Sequence, residues 1–198
     1  TDKTLALSTF KRKGGFNITR IKDVLDELKS QLDENFTRLE PTGLLDIDDK
    51  EILREVCTFN EAASEDEINL VEKELGITMP NDYRDFLLLH NGMTLFSSYL
   101  TSYTFFSLDK IRTNFLIVQK DFKEEDLEPT KDYPIGEYPD VGYIMISDAL
   151  VTKYSSQGAI YVGHILPEET EESFVSFVEN VIKKTGEFFW EDQSLTEY

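Results

Sequence analysis

A single cysteine, Cys57, in 198 residues excludes an internal disulfide and suits a reducing compartment such as the cytoplasm. Two histidines, His90 and His164, with no second cysteine cannot build a typical zinc site, and no cofactor is expected. No apolar run is long enough to cross a bilayer. Thr1 to Phe16 shows no apolar signal core followed by a cleavage pattern, so neither a membrane partner nor an export signal is expected. Positive charge is also short: 20 Lys and Arg stand against 39 Asp and Glu, a net charge of −19. The deficit is uneven. Through Arg38 there are 8 basic and 6 acidic residues; from Leu39 onward there are 12 and 33. Such a body repels nucleic acid, whose binding requires phosphate neutralisation. By charge alone, it either attracts a basic protein partner and speeds the encounter or serves only to keep the protein soluble.

Chemistry is sparse as well. Lys13-Gly14-Gly15 lacks the preceding strand and the remaining residues of a phosphate-binding loop. Asp46 to Glu51 resembles the start of a calcium loop, but no glycine holds its sixth position and Cys57 stands where the twelfth needs a glutamate. No local pattern brings Cys57 to either histidine. With no catalytic residue and no metal ligand to name, an enzyme is not expected.

What is present is concentrated in Ser64 to Gly92. Ser64 is a natural N-cap, and Glu67 three residues on completes a capping box. Ile68, Val71 and Leu75 form one apolar stripe, and Gly76 supplies the left-handed residue that ends the helix. A second helix follows Pro80, with Tyr83, Phe86, Leu87 and His90 on one face and Asn91-Gly92 as its stop.

These residues also carry a resemblance. Glu67-Ile68, Glu72, Glu74-Leu75-Gly76-Ile77, Met79-Pro80, Asp82-Tyr83-Arg84, Phe86-Leu87 and Asn91-Gly92 resemble the opening motif of the SUKH superfamily. That group includes the yeast cell-wall assembly regulator and many bacterial immunity proteins. Tyr143 to Ile146, Gly158 to His164 and Ser173 to Val178 are similar to its closing strands and last helix, so the resemblance covers about Phe59 to Lys184. It implies an α+β fold with N-terminal helices, a mostly antiparallel sheet and a C-terminal helix packed on one face. The corresponding division is an N-terminal arm and helical extension at 1–58, a SUKH-like domain at 59–185 and an aromatic-acidic tail at 186–198.

Outside the motif, periodicity predicts a helix from Asn17 to Leu39 on Ile18, Ile21, Leu25, Leu28, Leu32, Phe36 and Leu39. Its stripe reads as cover for the core, with a homodimer seam through this helix as the alternative. A helix is also expected near Asp48, with Ile52, Leu53 and Val56 inward. Thr94–Phe96, Tyr99–Leu108, Val141–Ser147 and Ala159–Ile165 read as strands, with Val151–Tyr154 pairing the last of these across a Ser155–Gly158 turn. Ser107 to Ile111 leads into a helix through Ile117 or beyond, and Asp121–Asp140 reads as loop. Glu168–Glu172 reads as an acidic helix start and Ser173–Lys184 as an amphipathic helix closed by Gly186.

The resemblance implies a non-catalytic binding module: an immunity protein that neutralises a toxin, or a scaffold of the cell-wall regulator type. Candidate partner contacts are Glu124, Glu125, Asp126 and Glu128 in the acidic stretch, Tyr99 and Tyr103 on a strand, and Trp190, Glu191 and Asp192 in the tail.

Overall fold

The computed structural model describes residues 18–39, 55–98, 101–139, 141–154, 159–186 and 189–190. Among them, seven strands form one antiparallel sheet in which each strand pairs with its neighbours in sequence. They are β1 (Val56–Phe59), β2 (Met93–Ser97), β3 (Tyr103–Phe105), β4 (Tyr133–Tyr138), β5 (Gly142–Ile146), β6 (Ile160–Val162) and β7 (Glu168–Glu172). Six helices accompany them: α1 (Ile18–Lys29), α2 (Glu65–Leu75), α3 (Asn81–Leu87), α4 (Leu108–Glu124), α5 (Asp148–Tyr154) and α6 (Phe174–Lys183). The fold is therefore α+β, with α6 packed on one face of the sheet, as the sequence predicts.

The α2–α3 pair follows its local signals closely. Ser64 Oγ accepts from Glu67 N–H at 3.3 Å, and the Glu67 carboxylate accepts from Ser64 N–H at 2.7 Å. Gly76 closes α2 at φ +66°. From α3, Arg84 reaches back to Glu65, Glu72 and Asn69, while Glu72 also accepts from Met79 N–H at 2.7 Å. The motif residues Glu72 and Arg84 thus clasp the two helices together. α3 stops at Leu87, earlier than predicted. Asn91-Gly92 serves the next junction instead: Asn91 Oδ1 accepts from Leu108 N–H at 2.8 Å. A Cβ on Gly92 would stand 2.9 Å from Phe105 O and from Ser107 N.

Strand alternation divides the interior. Leu95, Tyr103, Phe105, Ile144, Ile146, Ile160 and Val162 join Phe174, Phe177, Val178 and Val181 of α6 and Ile21, Leu25 and Leu28 of α1 in the main core. Met145 and Tyr161 turn the other way and meet Val118 and Phe122 of α4 in a second cluster. The sheet is therefore covered on both faces, with α4 opposite α6.

Several expected elements differ, each for a physical reason. α1 ends at Lys29 because Asp33 diverts the backbone: its carboxylate accepts from Asn35 and Thr37 N–H, Phe36 takes φ +56°, and Leu32 bridges Arg38. Val56 enters strand β1 rather than a helix, paired with Ser97. The stretch read as loop contains the last turn of α4 and all of β4, whose Tyr133 and Ile135 are buried. Pro134 and Gly136 hid that strand. Gly136 is required because its Cβ would stand 2.5 Å from Thr104 O of β3. β3 is shorter than predicted because Leu108 already belongs to α4, with Ser107 as its N-cap. Val151–Tyr154 belongs to α5, not to a hairpin. β6 ends at Val162, before Gly163 turns the chain at φ +81°. Glu168–Glu172 is strand β7, held to β6 partly by Thr170 Oγ1 donating to Ile160 O at 2.7 Å. The arm at 1–15, the Asp46–Glu51 segment and the Ser155–Gly158 turn lie outside the described residues. The boundary expected between 58 and 59 falls within β1. No described helix is long and apolar enough to cross a membrane.

Candidate protein-binding cleft

The acidic run singled out from the sequence forms the C-terminal end of α4. Glu124 pairs with Lys120 at 3.2 Å, Glu125 N–H donates to Asp121 O at 3.0 Å, and Asp126 takes φ +54° as the chain leaves the helix. Helix dipoles disfavour negative charge at this end. The dipole therefore does not explain the carboxylates there, although Glu124 has Lys120 as a local partner and the positive φ at Asp126 suits aspartate. Beyond them the chain folds back through Thr130, whose carbonyl accepts from Gln119 Nε2 at 3.0 Å, and delivers Asp132 to the start of β4.

This return encloses a cleft of about 380 Å³ between the end of α4, the 127–132 segment and the β6–β7 connection. That volume lies in the usual range of ligand sites. Phe122, Leu127, Tyr161 and Ile165 contribute apolar wall; Glu128, Asp132 and Glu169 contribute carboxylates. Among the described residues, no lysine or arginine lines it. Asp132 accepts from Asp148 N–H and from the Tyr161 hydroxyl, each at 3.0 Å. Burial pushes its carboxyl above the usual carboxylate range, and these two donors act against that rise. The Tyr161 hydroxyl is pushed up as well, by burial and by the Asp132 charge.

His164 also faces the cleft, its Nε2 3.0 Å from Asp121 Oδ2 and its ring beside Tyr143 and Phe122. The connection that carries it begins at Gly163, where a Cβ would stand 2.6 Å from Leu166 O. This tight turn holds Leu166 83 % exposed at the cleft's edge, next to the lining residues Ile165 and Pro167. Leu127, which lines the cleft, is 41 % exposed.

The other reactive groups stand in separate settings. His90 meets Asn60 O and Lys29 Nζ, and burial pushes the Cys57 thiol up. Ser147 lines the cleft, but its Oγ accepts from Leu150 N–H and has no hydrogen bond to His164. No described group of three or more potential metal ligands comes together. A second, larger hollow of about 490 Å³ follows the β4–β5 turn. The one carboxylate among its described lining residues, Glu137, already faces Lys110 Nζ at 3.9 Å.

The sequence-predicted contacts scatter. Glu124, Glu125 and Asp126 flank the cleft on an exposed turn, and Glu128 lines it. Tyr103 is 0 % exposed, its ring centroid 4.4 Å from that of Tyr138, so it offers a partner no surface. Trp190 is half-buried on Phe177, Tyr103 and Phe189, on the α6 side of the sheet. Tyr99, Glu191 and Asp192 lie outside the described residues. Sequence reasoning missed Asp132, Tyr161, His164, Leu166 and Glu169. Only Leu166-Pro167 followed by acidic residues hinted at an exposed connection.

An all-antiparallel seven-stranded sheet with helices on both faces defines an α+β protein, and the cleft beside α4 is a concave acidic feature of it. The chain belongs to the SMI1/KNR4 family (SUKH-1), whose family model matches residues 62–197. It is also 55 % identical over 38 residues to the uncharacterised protein YnaB of Bacillus subtilis strain 168, which is 19 % of this chain. That match spans about a quarter of the relative's length, 26 %. Helices α2 and α3 fall within the family match; α1 and β1 precede it.

Proposed function

We propose that this chain is a non-catalytic binding module of the immunity type, which neutralises a cognate toxin domain in the cytoplasm by occupying its basic working surface. The carrying observation is the cleft beside α4: three carboxylates, no lysine or arginine among its described lining residues, the exposed Leu127 in its lining and the exposed Leu166 between two lining residues, in a chain of net charge −19. Opposite charge accelerates encounter, and the apolar contacts then slow departure. A nuclease, positive where it grips phosphate, fits this chemistry. Family membership supports a binding role, and the resemblance to immunity proteins supports the direction of the effect.

The test is to look for a toxin domain encoded beside this gene and to co-express the two. The parent protein should restore growth, and a variant carrying Glu124→Lys, Glu125→Lys and Glu128→Lys should not. Asp126 is spared because its positive φ suits aspartate better than lysine. Equal protection by both would remove the cleft from the account. A neighbourhood with no toxin gene would favour the scaffold reading of the cell-wall regulator type.

A further inference from the structure

Resting on the partner reading above, we propose that the cleft is a socket for one arginine side chain of the partner, with Asp132 at its base and Glu128 and Glu169 at its mouth. The missing countercharge is the first argument. Elsewhere on the described surface arginines are matched: Arg84 to Glu65 and Glu72, Arg112 to Glu74 and Asp109, Arg38 to Glu55. Asp132, Glu128 and Glu169 form no ion pair with any described lysine or arginine. Asp132 is half-buried and its donors are all neutral: Asp148 N–H, the Tyr161 hydroxyl and the Ser147 hydroxyl. A carboxylate offers about four lone-pair directions, so capacity for a further donor remains.

The second argument is the wall chemistry. A guanidinium is planar, weakly hydrated and able to stack on aromatic faces, whereas an ammonium is a strongly hydrated point charge. Phe122, Tyr161 and His164 supply rings, and Leu127 and Ile165 supply apolar cover for the three-carbon stem. The third argument is the rim. Arginine hot spots sit within apolar contacts that exclude water. Leu127 and the outstanding Leu166 are placed to make such a rim when a partner docks.

The experiment uses the full chain, labelled with nitrogen-15, titrated with the peptide acetyl-Gly-Leu-Arg-Leu-Gly-amide and its citrulline counterpart. Citrulline keeps the shape of arginine and removes its charge. Saturable shifts of the Asp132, Asp148 and Tyr161 amides with the arginine peptide are expected, with binding weaker by about tenfold or more for citrulline, the scale of a lost charge-assisted hydrogen bond. The exposed double variant Glu128→Gln/Glu169→Gln should weaken the arginine peptide and leave the citrulline peptide unchanged. Equal binding of both peptides, shifts confined to other parts of the protein, or no binding would overturn the socket. The two readings separate cleanly. Charge-dependent capture of the toxin domain without arginine-peptide binding sinks the socket alone. Arginine-peptide binding with no interaction with the toxin domain sinks the immunity reading alone.

Discussion

His90 shows how far a single residue is determined by its neighbours. Its Nε2 lies 2.9 Å from Lys29 Nζ, and an ammonium can only donate, so Nε2 must accept. Nδ1 then carries the proton and donates to Asn60 O at 2.8 Å. Burial, with Lys29 as a smaller contribution, holds the imidazole below its ordinary pKa. The unfolded chain therefore binds this proton more readily than the folded one. The histidine contributes no penalty above its unfolded value of about 6.5, and stability falls as pH drops from there through the folded pKa. Nuclear magnetic resonance titration should place His90 below 6.5, roughly the model-peptide value. The stability advantage of the parent over His90→Gln should shrink on acidification in thermal melts. At Ser64 the outcome is simpler: Ser64→Ala removes the hydroxyl half of the capping box, leaves the residue-64 N–H donating to the Glu67 carboxylate, and should cost about 1 kcal/mol in denaturant unfolding.

At the scale of elements, what was legible depended on whether the deciding signal is local. α2, α6 and the start of α4 carry their caps in sequence: Ser64, Ser173 and Ser107 each accept from a backbone N–H of the first turn. β4 does not announce itself, because Pro134 and Gly136 read as breakers and only pairing with β3 and β5 makes Tyr133–Tyr138 a strand. Glu168–Glu172 likewise has no strand character of its own and is made one by β6. The site divides in the same way. Glu124 to Glu128 is visible as charge, whereas Asp132, Tyr161 and His164 meet only through the fold. Gly136→Ala tests the β3–β4 approach: its methyl would press on the Thr104 carbonyl, and a loss of about 1–3 kcal/mol is expected. The end of α4 gives the opposite sign. Glu125→Lys replaces an anion with a cation at the helix C-terminus and should stabilise by about 0.3–1 kcal/mol. A melting temperature that rises while partner binding weakens would show that this carboxylate is kept for recognition.

Taken whole, the molecule is a braced sheet with its acidity concentrated after Arg38. Such a charge distribution acts on encounter with partners and not on the fold itself. The central claim is that the protein works by offering an acidic docking cleft to a basic partner. The most direct test is the stopped-flow association rate with the neighbouring toxin domain across a range of ionic strength, for the parent and the Glu124→Lys/Glu125→Lys/Glu128→Lys variant. The parent rate should fall steeply with added salt, and the variant should associate at least about tenfold more slowly at low salt with its melting temperature undiminished. Equal association rates for the two proteins at every salt concentration would contradict the account.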